Sequence, residues 1–165
     1  MVKKIPYFSA DTLYTCGAAA CKMALSYFGF DKSEGELVEE LGTTLEYGTG
    51  PKRIKELFEK YGIKTHFHSS GETPERTFEL IQKFLVDGCI VICLVNRLIY
   101  DKKTPLVEAK TKWEDKQNSS HYIVVYDIKD GSVFFNDPHV LVGKNHLGFD
   151  TFKNSLLNIF IASKK

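Results

Sequence analysis

No apolar run in this sequence is long enough to cross a membrane. The longest, Cys89-Ile90-Val91-Ile92-Cys93-Leu94-Val95, has the length of a buried strand. Basic residues near the start, Lys3 and Lys4, are followed by no hydrophobic segment, so no signal peptide is expected and a cytoplasmic location is the default. An excess of charge is missing too. A net charge of +1 gives no field for nucleic acid, and no acidic tail is present. The lysines between Lys102 and Lys116 alternate with Glu108, Glu114 and Asp115, as in a solvated loop. Internal repeats, low-complexity tracts and Gly/Ser linkers are absent, so residues 1–165 are expected to form one domain. Cysteine is scarce. The four present are spaced C-x4-C (Cys16, Cys21) and C-x3-C (Cys89, Cys93), which is not the usual zinc spacing. Reduced thiols are expected, with Cys21, Cys89 and Cys93 as inert core residues, and no metal or cofactor is expected.

What is present is one cysteine in a distinctive place. In Thr15-Cys16-Gly17-Ala18-Ala19-Ala20-Cys21, Cys16 stands where a loop turns into an alanine-lined helix. The positive end of a helix dipole favours thiolate over thiol, and the thiolate is the nucleophile. A histidine folding back onto Cys16 would complete the core of a cysteine hydrolase.

The first half reads as helical. One helix is expected from Cys16 to Phe28. A second runs from Ser33 to Leu41, where Ser33 and Glu36 form a capping box. A third starts at Pro51 and stops at Gly62, and a fourth opens at Thr73-Pro74 and ends at Gly88. Ile63–His68 reads as a strand between the last two. The later part reads as strands over Cys89–Asn96, Ser120–Ile128, Ser132–Asn136 and Leu157–Ala162, the last preceded by a helical stretch near Phe149–Leu157. The pattern predicts an α+β fold, with a helical N-terminal half packed on an antiparallel sheet from the C-terminal half. The long gap from Arg97 to Ser119 ends just before His121 and is expected to wall one side of a cleft.

Five histidines are present. His66 and His68 share one face of a strand without an evident third ligand, and read as surface positions. His139 and His146 fall in an expected loop with no obvious partner. His121 opens the run His121–Ile128, which turns at Lys129-Asp130-Gly131 and returns as Ser132–Pro138. A three-residue loop would pair Ile128 with Ser132 and, further out, Ile123 with Asp137. His121 and Asp137 would then be diagonal neighbours on one face, whereas a two-residue loop would put them on opposite faces. Such a pair suits a base held in one tautomer by a carboxylate. It equally suits two polar groups satisfying each other at a sheet edge.

With Cys16, His121 and Asp137 in that order, the chain resembles peptidase family C39, the papain-like cysteine peptidases found as N-terminal domains of bacteriocin-processing ABC transporters, and its free-standing C39-like relatives. The resemblance rests on Ile5-Pro6-Tyr7-Phe8-Ser9, Cys16-Gly17-Ala18-Ala19-Ala20, Gly42-Thr43-Thr44, Gly48-Thr49-Gly50, His121–Val125 and Asn136-Asp137-Pro138. It implies a papain-like fold and a peptide or protein substrate. Cys16 would be the nucleophile, His121 the base and Asp137 the residue orienting it. The backbone N–H of Cys16 would help to bind the oxyanion, in a site comprising Ala10, Asp11, Gly17 and Gln117. One departure stands out: where the family usually supplies an oxyanion glutamine, this chain has Ala10, followed by Asp11. Gln117 is a candidate substitute. A catalytically weak peptide-binding module and an acyltransferase using the same thiol are the rival expectations.

Overall fold

The computed structural model describes residues 3–69, 71–96, 120–140 and 142–165. The stretch from Arg97 to Ser119, with Gln117, lies outside them. Among the described residues, five helices and six strands follow in chain order: α1 (Cys16–Tyr27), α2 (Glu34–Leu41), α3 (Pro51–Lys60), β1 (Lys64–Ser69), α4 (Pro74–Val86), β2 (Ile90–Asn96), β3 (Ser120–Lys129), β4 (Ser132–Asn136), β5 (Lys144–Gly148), α5 (Phe149–Ser155) and β6 (Leu156–Lys164). The fold is α+β, as the residue pattern predicts. None of the described helices is long and apolar enough to cross a membrane.

Helix boundaries follow local chemistry. Ser33 Oγ accepts the Glu36 N–H while the Glu36 carboxylate accepts the Ser33 N–H, closing the capping box of α2. Gly42 ends that helix in the left-handed conformation. Pro51 and Pro74 occupy first helical positions, where a missing N–H has no cost, and Thr73 Oγ1 caps the Arg76 N–H.

The strands form one antiparallel sheet in the order β1-β6-β2-β3-β4-β5. Central strand β2 is apolar on both faces because both faces are covered. Ile90 and Ile92 join the core around Met23, Leu25 and Phe58, while Val91, Cys93 and Val95 join the core around Ile81, Phe152 and Phe160. Helices therefore lie on both sides: α1, α2 and α3 contribute to the first core, α4 and α5 to the second. The alanines of α1 have a structural reason. Ala18, Ala19, Ala20 and Ala24 are fully buried, and their small side chains let the helix run close against the sheet, beside β3.

Two expectations are corrected. His146 is not in a loop: it lies in edge strand β5 opposite Phe134, a strand whose residues are nearly all exposed and polar. The β3–β4 turn is not a three-residue loop either. Lys129 pairs with Ser132 across Asp130-Gly131, both at positive φ (52° and 76°), the backbone of a two-residue type I′ turn. Left uninterrupted, that register would place His121 and Asp137 on opposite faces. It is interrupted. Tyr126 is an extra residue between Val125↔Phe135 and Asp127↔Phe134, and beyond this bulge Val124 faces Asn136. The register expected at the far end of the hairpin is thereby restored.

Candidate active site

Three segments build the site. The first is the start of α1. A 3-10 turn, Leu13–Thr15, leads straight into the helix and is tied by hydrogen bonds between Thr12 and Thr15: the Thr12 N–H donates to Thr15 Oγ1 at 3.1 Å, and Thr15 Oγ1 donates to the Thr12 carbonyl at 3.0 Å. Cys16 is thus the first residue of α1, and only 8% of it is exposed. The second segment is the start of β3, with His121 buried. The third is the end of β4, where Asp137 is 1% exposed.

His121 Nε2 meets Asp137 Oδ1 at 2.5 Å. That occupies one ring nitrogen and leaves Nδ1 free of Asp137, while the imidazole and the Cys16 thiol bear on each other electrostatically. Asp137 is itself anchored. Its Oδ1 accepts the His139 main-chain N–H at 2.7 Å, and its own N–H donates to the Gly143 carbonyl at 2.8 Å. His139, expected in a loop without a partner, is buried and supplies this second donor to the carboxylate. Its contribution comes from the backbone, so no residue type could have announced it.

The electrostatics separate Cys16 from the other thiols. Burial pushes its pKa up, but the charge of His121, the hydrogen bond to it and the Tyr122 main-chain N–H outweigh burial and leave it below the ordinary value. Burial alone pushes Cys93 well up, and Cys21 is raised by burial and by neighbouring Cys16. Cys89 is also raised, chiefly by burial. For His121 burial favours the neutral ring, yet the charges of Asp137 and Cys16 prevail and lift it to about 10. The pair therefore favours thiolate and imidazolium. A cysteine and histidine so arranged can attack an electrophilic carbonyl and return a proton.

In the segment expected to serve the oxyanion, the main-chain donors have partners within the fold. The Ala10 N–H donates to the Pro138 carbonyl at 2.8 Å. The Asp11 N–H donates to the Glu34 carboxylate, at 3.1 Å to Oε2 and 3.3 Å to Oε1. Both main-chain donors are therefore already engaged, and the Ala10 side chain has none to offer. Glu34, not foreseen as a site neighbour, is buried and lies beside Asp11, with Lys22 close enough to act on it electrostatically. Gly17 packs against Thr49: a Cβ at position 17 would lie 2.6 Å from Thr49 Cβ.

His66 and His68 gather no metal site. Their rings stack on Phe84 and Phe160, with centroids 4.7 and 4.8 Å apart. Among the described residues no group of three His, Cys, Asp or Glu is arranged to hold a metal ion.

Solved structures that share this architecture over nearly the full chain include three peptidases or peptidase domains. A double glycine motif protease from an AMS/PCAT transporter, in complex with the leader peptide, superposes with a TM-score of 0.71 at 18% identity, covering 99% of this chain and 94% of that one. A C39-like peptidase described as putative, from Bacillus anthracis, gives 0.72 at 18%, covering 99% and 96%. The peptidase domain of Streptococcus ComA, a bifunctional ABC transporter of a quorum-sensing pathway, gives 0.69 at 16%, covering 98% and 100%. At these identities the likeness is one of fold. No curated protein sequence matches the chain. The sequence profile described as the Peptidase_C39 like family, however, matches residues 2–160, a span that holds Cys16, His121 and Asp137, and so the chain belongs to the Peptidase C39-like family.

Proposed function

We propose that this protein is a papain-like cysteine peptidase that hydrolyses a peptide bond with Cys16, His121 and Asp137. The reading rests above all on one arrangement: a buried Cys16 at the head of α1, with His121 hydrogen-bonded to Asp137 and bearing on the thiol with a charge that lowers its pKa despite burial. The Cys16 thiolate attacks the peptide carbonyl and forms a tetrahedral oxyanion. The Cys16 main-chain N–H, at the start of α1, stabilises that charge. Collapse of the intermediate breaks the C–N bond, and His121 gives its proton to the departing amine, leaving a thioester. Neutral His121 then takes a proton from water, whose oxygen attacks the thioester. The carboxylic acid leaves, and the thiolate–imidazolium pair is restored. Asp137 holds the ring in the productive tautomer throughout.

The substrate class follows by analogy: one structural neighbour is a double glycine motif protease bound to a leader peptide, which suggests a leader-type peptide here. A second reading has its own support. With alanine at position 10 and the Ala10 and Asp11 N–H groups donating elsewhere, neither residue offers a donor to an oxyanion, which supports a peptide-binding module of the same fold with weak turnover. Iodoacetamide labelling across pH, read by mass spectrometry of each cysteine peptide, tests the proposal. Cys16 should label preferentially at mildly acidic pH and lose that preference in His121→Ala. Slow, equal labelling of all four cysteines would overturn it. Cleavage of a synthetic double-glycine leader peptide separates peptidase from binding module, and capture of the thioester by added amines would reveal acyl transfer.

A further inference from the structure

We infer that Thr49 is a positioning residue for the nucleophile, acting through Gly17, and that Tyr122 joins it to the thiolate. The inference rests on the reading of Cys16 as an activated thiol. Thr49 lies in the segment between α2 and α3, is buried, and presses on Gly17, the residue after Cys16. A Cβ on Gly17 would meet Thr49 Cβ at 2.6 Å, Oγ1 at 2.7 Å and Cγ2 at 3.2 Å, distances at which something must shift. Glycine at position 17 is thus required by a close approach and not by backbone conformation.

Thr49 is held from several sides. Its Oγ1 lies 2.7 Å from Thr43 Oγ1, in hydrogen-bond contact. Its carbonyl accepts the buried Tyr122 hydroxyl at 2.7 Å. The chain just before it is closed by two backbone hydrogen bonds, Thr44 N–H to the Gly48 carbonyl (3.1 Å) and Gly48 N–H to the Thr44 carbonyl (2.8 Å). Gly48 also packs near the Tyr14 carbonyl, two residues before Cys16. The clasp from Thr43 to Gly50 is therefore a fixed stop against the first turn of α1.

Tyr122 connects this stop to the chemistry. Its main-chain N–H acts on the Cys16 thiol to lower its pKa, its hydroxyl donates to the Thr49 carbonyl, and it directly follows His121. Sulfur, imidazole and stop are thus referenced to one short stretch of β3. A shift of α1 toward the space Thr49 fills would move the sulfur relative to His121 and to the Tyr122 main-chain N–H, the groups that lower its pKa. A loss confined to packing would lower stability and leave the thiol's acidity unchanged. A loss of positioning would raise the pKa of Cys16.

The test reads the pH profile of Cys16 alkylation by iodoacetamide in the full chain, alongside thermal unfolding. Thr49→Ala should move the Cys16 profile to higher pH by about one unit, about a tenfold loss of labelling near the acidic end. Thr49→Ser, which keeps Cβ and Oγ, should recover most of that loss. Tyr122→Phe removes the hydroxyl while keeping the ring and should shift the profile in the same direction, which carries the test if Thr49→Ala does not fold. A lower melting temperature with an unchanged Cys16 profile in both variants overturns the inference and leaves the peptidase reading intact. An ordinary Cys16 profile in the unaltered protein overturns both.

Discussion

His121 and Asp137 share a hydrogen bond of 2.5 Å across a hairpin whose own turn sets them out of phase. The Asp130-Gly131 turn pairs Lys129 with Ser132, and an unbroken ladder from there would carry the imidazole and the carboxylate to opposite faces. The extra residue at Tyr126 shifts the pairing by one and brings them together. Bulges commonly re-aim a side chain near a functional site, and here one aligns His121 with Asp137.

Deleting Tyr126 should therefore disable the site without removing any of its three residues. The turn would remain, the register beyond it would slip by one, and His121 would no longer align with Asp137 or Cys16. The expected outcome is a Cys16 alkylation profile returned to, or above, the ordinary thiol range, with far-UV circular dichroism still reporting the mixed fold. A deletion variant that keeps an acidic Cys16 would show that the bulge does not set the alignment.

The charge on Asp137 predicts a pH signature. It raises the pKa of His121, which burial alone would lower, and it also works against ionisation of Cys16. The working pair exists above the lowered pKa of Cys16 and below the raised pKa of His121, about 10. In Asp137→Asn an amide oxygen can still accept hydrogen bonds, but the charge is gone. The imidazolium then loses its proton at lower pH, and both limbs of the rate profile should move toward acid. The sign for stability agrees. A histidine with a raised folded pKa contributes stability fully present below about 6.5, lost as pH rises toward about 10, so Asp137→Asn should reduce stability most in neutral and mildly acidic solution. Hydrolysis rates and melting temperatures from pH 5 to 10 check both statements. An alkaline limb that stays in place would contradict the assignment of Asp137.

Much of this arrangement was legible because it depends on residue types with local consequences. Ser33 with Glu36, Pro51, and Thr73 with Pro74 mark helix starts through groups that a side chain either satisfies or lacks. Cys16 announces itself by standing at the head of an alanine-rich helix. The features that escaped depend on the main chain or on distant packing. Nothing in Tyr126 signals a bulge, since its side chain suits a regular strand as well. His139 holds Asp137 by its N–H, which every residue but proline possesses. Strand β5 is an edge strand, polar and exposed, and so carries no alternating pattern. Glu34 reads as an ordinary first-turn acid of α2, and only the tertiary fold buries it against Asp11.

Glu34 itself should give a pH-dependent stability. Burial, and then the neighbouring Asp11, lift its pKa to about 7. The folded state thus holds a proton that the unfolded chain releases near pH 4.3, so ionised Glu34 opposes folding increasingly as pH rises from there to about 7. Glutamine at this position keeps an oxygen for the Asp11 N–H and removes the charge. Melting curves of Glu34→Gln and the unaltered protein should nearly coincide at pH 4 and separate by pH 8, with the variant the more stable. A difference that does not change with pH would mean that folding leaves the Glu34 pKa at its unfolded value.

The strongest test of the proposed chemistry is to supply a side-chain donor at position 10. Ala10 donates its N–H to the Pro138 carbonyl, a main-chain bond that any residue except proline can keep. Ala10→Gln therefore adds a side-chain amide without disturbing that anchor. One oxyanion donor is typically worth about 2.7–4 kcal/mol, or roughly 10²–10³ in rate. If the site is a peptidase that lacks only this donor, hydrolysis of a double-glycine leader peptide should rise by about that factor in kcat. KM should change little, because the gain belongs to the transition state. The Cys16 alkylation profile, which involves no oxyanion, should remain where it was. A rise in labelling without a rise in hydrolysis would mean that the new side chain acts on the thiol instead. An unchanged kcat would mean that another group already binds the oxyanion.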